Sequence, residues 1–215
     1  TVLRLAGTEH FPAAFVERVR SLEPSWAIAG CRYLLDAPVF EAALTPVFSD
    51  RSWLDDERFA RMQAGDWPDV PMMAIDVPTA FDPSLVPHPG HQIAVTQVFT
   101  SADPNDTMTA EAIRRSEVVL DELWPDFRRH VIRRETYGAM SISRVSRDSA
   151  LPGCGGEAVG LAQVVGQCGR SKPDARTPLP GLYLVGCDAG GRGAGTHQAV
   201  DSGFNVAAMI DADLG

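Results

Sequence analysis

Leu182-Tyr183-Leu184-Val185-Gly186-Cys187-Asp188-Ala189-Gly190-Gly191-Arg192-Gly193-Ala194-Gly195-Thr196 runs from an apolar stretch into glycine and out again into a helix-compatible sequence. The apolar part is strand-sized and predicts a strand over 182–185. Thr196 then opens a helix through about Ala212. Between them, glycines lack the Cβ atoms that keep a bulky ligand off the backbone. A helix N-terminus behind such a loop offers free N–H groups and roughly half a positive charge. This suits an anionic or electron-accepting group, such as a phosphate or the C2 carbonyl edge of a flavin ring. A flexible surface loop has the same composition, and both readings stand at this level. No GK[ST] follows, so the loop is not a Walker motif.

Two titratable groups flank the loop. Asp188 comes just after the expected strand, where an acid commonly faces a ligand crevice in α/β folds; its other reading is a cap for the loop's own N–H groups. His197, in the first helical turn, is the candidate catalytic side chain: it either hydrogen-bonds substrate or flavin, or lies exposed. A second cluster, Gly153-Cys154-Gly155-Gly156-Glu157-Ala158, matches GxGxxA in form, with Asp174 about 20 residues on. A dinucleotide fingerprint follows directly on a buried strand, whereas Ser149-Ala150-Leu151-Pro152 precedes this one, so it reads as a false match.

Outward from the loop, the glycines are uneven: 13 of the 19 fall between residues 151 and 203. The earlier part mixes helices and strands and sets a boundary near residue 140. Pro12 with Phe11, Phe15 and Val19 predicts a helix over 11–21. Trp26 to Leu35 predicts a strand stopped by Asp36-Ala37-Pro38. A short helix is expected over 53–63, and strands over 72–77, 92–100 and 131–140. Ile93, Val95 and Phe99 share one face of the second of these strands. A proline-rich link, 78–90, joins the first two. Thr109 caps a helix through about Trp124, with Ala112, Val119, Leu120 and Leu123 on one stripe.

The 215 residues allow one large domain or two small ones, with 45% hydrophobic and 22% charged residues, an ordinary globular composition. The net charge of −9 argues against a nucleic-acid binder, which needs clustered positive charge. Arg114, Arg115, Arg128, Arg129, Arg133 and Arg134 are interleaved with acids and read as a salt-bridged face. No apolar run reaches the roughly 18 residues of a membrane helix, so no transmembrane segment is expected. Four scattered cysteines without a CxxC pair read as reduced thiols in a cytoplasmic protein. His88 and His91 lack further ligands nearby, so no metal site is expected. The chain begins with Thr rather than Met, which fits a processed N-terminus or a part of something longer.

Residues 177–186, Thr-Pro-Leu-Pro-Gly-Leu-Tyr-Leu-Val-Gly, the glycine loop, and Ser202-Gly203-Phe204-Asn205-Val206-Ala207 together resemble the C-terminal signature of phytoene desaturase-like FAD-dependent oxidoreductases. Phe81-Asp82-Pro83-Ser84-Leu85-Val86-Pro87 is similar to that family's DPS-x-x-P turn. The resemblance spans residues 10 to 212 and is most specific over 177–207. It implies an α/β fold in which an α+β substrate region, residues 1–140, precedes the C-terminal strand–loop–helix of a Rossmann-type FAD domain, residues 141–215. It implies FAD as cofactor, with Gly186, Asp188, Gly191, Arg192, Gly193, Gly195 and Thr196 against the flavin. Here Cys187 intervenes before Asp188, which leaves the contact of Asp188 to the ribityl chain open.

The N-terminal Rossmann half with GxGxxG is absent from these residues. The expectation is therefore a split or cleaved flavoenzyme: this chain works with a partner polypeptide carrying that half and removes hydride from a small, apolar organic substrate. A non-catalytic scaffold subunit and an amine-oxidase-like or isomerising flavoenzyme are the alternatives.

Overall fold

The computed structural model describes residues 2–52, 56–100, 106–145, 160–191 and 193–215. Among them lie the helices α1 (Val2–Ala6), α2 (Ala13–Arg20), α3 (Asp56–Gln63), α4 (Asp106–Leu123), α5 (Ala139–Val145) and α6 (Gly195–Leu214). The strands are β1 (Ala27–Leu35), β2 (Leu44–Val47), β3 (Met73–Asp76), β4 (Gln92–Thr100) and β5 (Val131–Tyr137).

The chain divides into two compact units, Ala27–Gly156 and Thr1–Trp26 with Glu157–Gly215. The sequence placed one boundary near residue 140 and kept the N-terminal segment with the first part. Instead, that segment belongs with the C-terminal residues, for a hydrogen-bonding reason. The Ser25 N–H donates to Gly160 O at 2.7 Å, and the Ala162 N–H donates to Glu23 O at 2.9 Å. The buried Gln167 carboxamide completes the seam: Oε1 accepts the Glu23 N–H, and Nε2 donates to Glu23 O and Ala162 O. No composition signal announces such a pairing, because its partners lie more than a hundred residues apart.

In the sheet unit the strands run in the order β2-β3-β4-β1-β5, and every pairing is antiparallel. The mixed α/β class is thus realised around an antiparallel sheet, as the α+β reading of this region required. The sequence missed β2, four residues containing Pro46; on an edge strand the missing N–H need not interrupt a ladder. The strand expected over 131–140 ends at Tyr137. There the Ser141 hydroxyl accepts the Gly138 N–H at 2.9 Å and turns the chain into α5.

One face of the sheet is covered by α4, which begins before the expected Thr109 and buries Ala112, Ile113, Ser116, Val119 and Leu120 at helical spacing. Tyr33, Phe40 and Phe127 interlock with them; the rings of Tyr33 and Phe127 meet edge to face at 4.9 Å. The period of two expected for β4 holds, but its fully buried positions are Gln92, Ala94, Thr96, Val98 and Thr100, while Ile93, Val95 and Phe99 are half-buried. Burying the polar members is tolerable because they are hydrogen-bonded. Gln92 Oε1 accepts the N–H groups of Val39 and Phe40, and Gln92 Nε2 donates to Phe40 O. Thr96 Oγ1 accepts the Cys31 N–H at 2.9 Å. The interleaved arginines pair as expected, Arg114 and Arg115 with Glu111, Arg128 with Asp121, and Arg134 with Glu117.

In the second unit, residues 182–185 form no strand ladder. Only Tyr183 pairs, in a single antiparallel bridge to Arg176. The Leu184 N–H reaches Ala175 O at 2.7 Å and the Thr177 N–H reaches Leu182 O at 3.3 Å, closing the short turn through Pro178 to Gly181. Val185 beyond it is 62% exposed. One bridged edge cannot order a strand whose apolar side chains have no second neighbour to pack on. The helix expected from Thr196 is present as α6. Its far end is tied down by Arg176 Nη2, 2.9 Å from Asp213 Oδ1, and by the Tyr183 hydroxyl on the same carboxylate. No described helix is long and apolar enough to cross a membrane.

Candidate functional site

The glycine loop, residues 186–195, is held from below by four side chains. Ser202, fully buried on α6, accepts the Gly186 N–H at 3.1 Å and donates to Ala189 O at 2.8 Å. Asn205 Nδ2 donates to Gly190 O at 3.3 Å. Gln198 Oε1 accepts the Gly193 N–H at 2.7 Å. Lys172 spans the loop: Nζ donates to Cys187 O at 2.7 Å and also to Gly193 O. It is the chain's only lysine beside 18 arginines. A compact ammonium with three rotatable donors can reach two converging carbonyls, which a planar guanidinium fork does poorly. At 9% exposure its charge is tolerable only because carbonyl dipoles surround it. The described residues of the loop are thus hydrogen-bonded to four side chains of their own unit.

The helix behind the loop starts without a cap. Ala194 stands at the N-cap and makes no side-chain hydrogen bond to the first turn. Ser, Thr, Asp or Asn would normally fill that role, and Ala there forgoes about 1 kcal/mol. The N-cap residue thus leaves the donors and positive potential at the start of α6 without a side-chain acceptor of its own.

Gln198 adds a second unfilled donor. It is 3% exposed, yet its Nε2 has no hydrogen-bond partner among the described residues. A buried polar group left unsatisfied costs about 1–3 kcal/mol. Gly191 is what admits this side chain: a Cβ there would fall on the Gln198 carboxamide.

The sequence-predicted residues are placed as follows. Gly186 and Gly195 have open space where a side chain would stand, whereas Gly191 and Gly193 face Gln198. Thr196 and His197 are exposed in the first turn of α6. The Asp188 carboxylate turns to the backbone of residues 160–161, where Oδ1 accepts the Leu161 N–H at 2.9 Å. Burial and the neighbouring Asp188 charge push the Cys187 thiol above its ordinary value. Arg192 and the cluster 153–158 lie outside the described residues. The rings of His88 and His91 stack edge to face at 5.0 Å, and among the described residues no group of three or more His, Cys, Asp or Glu could hold a metal.

Sequence reasoning missed Lys172, Gln198 and Ser202. For Lys172 a signal existed, since a single lysine among many arginines marks a position where the ammonium shape matters.

Tested against a flavin, three features of the described residues suit its acceptor edge: the uncapped N-terminus of α6, the unpartnered Gln198 Nε2, and the open space beside Gly186 and Gly195. They offer no such arrangement for a nucleotide pyrophosphate.

Residues 46–211 match the family model described as flavin containing amine oxidoreductase. The chain is 26% identical over 243 aligned positions to pyridine nucleotide-disulfide oxidoreductase domain-containing protein 2 of Mus musculus, an alignment covering 100% of this chain and 40% of that protein. A crystal structure of an oxidoreductase from Methanosarcina mazei aligns at a TM-score of 0.49 and 18% identity, over 93% of this chain and 37% of that one. The chain thus spans about two fifths of the length of these relatives.

Proposed function

Because the chain belongs to the flavin containing amine oxidoreductase family, we propose that it forms the C-terminal part of an FAD-dependent oxidoreductase, with loop 186–195 and the start of α6 against the flavin. The family implies a flavin; the specific choice of FAD is part of the proposal. The observation that carries the placement is the uncapped N-terminus of α6 behind a loop that Lys172 and Ser202 hold in one shape.

A bound flavin would supply hydride-accepting chemistry toward a substrate C–H bond. The chain's own residues bind and orient it. The N–H groups at the start of α6 present donors to the ring's acceptor edge, and the helix dipole favours negative charge there by about 0.3–2 kcal/mol. Lys172 keeps the two ends of the loop at a fixed separation, so the donors are aimed before the ligand arrives. Exposed His197, in the same turn, is the side chain proposed to hydrogen-bond substrate.

The adenosine and pyrophosphate bind polypeptide outside these 215 residues, a partner carrying the N-terminal Rossmann half with GxGxxG. The relative from Mus musculus is longer, the aligned region covering 40% of it, which is compatible with that half lying in a continuation of this chain as much as in a partner. The sheet unit serves the substrate; the resemblance of residues 177–207 favours an apolar one of the desaturase type, while the sheet face opposite α4 sets Arg32, Asp76, Arg133 and Glu135 among Leu34, Ile93 and Val95. The family's description favours a second reading, oxidation of a C–H bond beside an amine nitrogen.

Purification of the chain with its native polypeptide context, followed by a visible spectrum, tests the proposal. Flavin bands at about one flavin per copy, with FAD released on denaturation, are expected. A colourless, folded assembly would overturn it. Turnover with apolar polyenes and with amines as alternative substrates separates the two substrate readings.

A further inference from the structure

We infer that Gln198 is a flavin-binding residue, whose Nε2–H donates to a carbonyl or ring-nitrogen acceptor on the pyrimidine side of the flavin; this rests on the flavin reading above. Three observations on one side chain carry it. First, the orientation of the carboxamide is decided by its neighbour. The Gly193 N–H is a donor and lies 2.7 Å from Oε1, so the flipped amide would set two donors against each other. Nε2 is therefore the atom left over. Second, Nε2 is buried and has no partner among the described residues, although the other buried glutamine of this unit, Gln167, uses both ends of its carboxamide. Third, the carboxamide lies against Gly191 and Gly193, beside the uncapped start of α6, a 20-residue helix. A donor amide added to a helix N-terminus builds positive potential from two sources at one place, which suits an acceptor that gains electron density on reduction. The glutamines that serve only structure here, Gln92 and Gln167, pair both ends of the carboxamide with backbone.

The test uses the complete flavoprotein containing this chain, with variants Gln198→Glu and Gln198→Leu. Gln198→Glu keeps volume and keeps an oxygen for the Gly193 N–H, but puts a carboxylate oxygen where the donor stood. Expected are an intact fold by circular dichroism, flavin affinity lowered about three- to tenfold in Gln198→Leu, as one net hydrogen bond is worth, and a lower midpoint potential in Gln198→Glu. The potential gap between Gln198→Glu and wild type should narrow as pH falls and the carboxyl regains a proton it can donate. Variants that bind flavin with wild-type affinity and potential, changing only thermal stability, would overturn the inference and leave a loop-holding role. If Gln198→Leu fails to fold, Gln198→Glu alone decides between these outcomes. A wild-type protein without flavin would instead overturn the proposed function beneath it.

Discussion

Gln92 in the sheet unit and Gln198 in the loop unit are both buried, and they are treated differently. Gln92 accepts two backbone N–H groups and donates to one carbonyl, so its carboxamide is fully employed within its own unit. Gln198 accepts one N–H and leaves its donor over. The contrast extends to the neighbours. Thr96, buried in the sheet, is hydrogen-bonded to β1, whereas the start of α6 has no cap. A buried side chain whose polar atoms find partners within its own unit, as those of Gln92 and Thr96 do, is finished as part of a scaffold. A region that holds its backbone firmly and still carries unmatched donors is shaped for something that arrives later.

Four substitutions break or sharpen this contrast. Gln92→Leu should do the most damage, because it strands the Val39 and Phe40 N–H groups and the Phe40 carbonyl in a dry interior. A loss of about 3 kcal/mol in urea unfolding of the sheet unit is expected, with its site-free character shown by unchanged flavin content per folded molecule. Lys172→Met should cost about 2 kcal/mol, read in the loop unit by hydrogen exchange of the loop amides, and should lower flavin retention as well. If flavin retention were untouched while the loop amides exchanged freely, the loop would not be the cofactor's cradle. Gly191→Ala should displace the Gln198 carboxamide at a cost of about 1–2 kcal/mol. Its thermal shift should not add to that of Gln198→Leu in a double-mutant cycle, because both act on one contact.

The smallest effect belongs to the sheet unit. A hydrogen bond from Arg114, helped by Arg115, holds the Glu111 carboxyl down to about 2. Since the folded value lies below the unfolded one of about 4.3, this contribution is complete above pH of about 4.3 and is lost as pH falls toward 2. The pair is partly solvated, so about 0.5 kcal/mol is expected. Gln at position 111 should flatten the acid limb of the stability curve by that amount, measured as urea midpoints across the window.

Much of the sheet was legible because its strands announce themselves by period and by punctuation. Gln92–Thr100 is legible from its alternation, which follows the turn-rich link ending at Gly90. Which face α4 would cover was not legible, since the polar members of β4 become buriable only through Val39, Phe40 and Cys31, residues far away in sequence. Leu182–Val185 failed in the opposite sense. Its composition is that of a strand, but strands are made by neighbours, and within its unit only Arg176 pairs with it. The glycine loop was legible as a place of close approach. What its glycines approach was not: Gly191 makes room for a side chain seven residues further on, and that side chain was invisible as a functional group until its bonds could be traced.

The one lysine has a practical corollary. Every other basic side chain here is an arginine or a histidine, so Lys172 offers the only side-chain amine in the chain, and both its carbonyl partners and its burial shield it. An acylating reagent reaches that amine only when the loop lets go. The rate of covalent labelling at this position, followed by peptide mapping, is therefore a built-in clock for loop opening, and a ligand that seats on the loop should slow it.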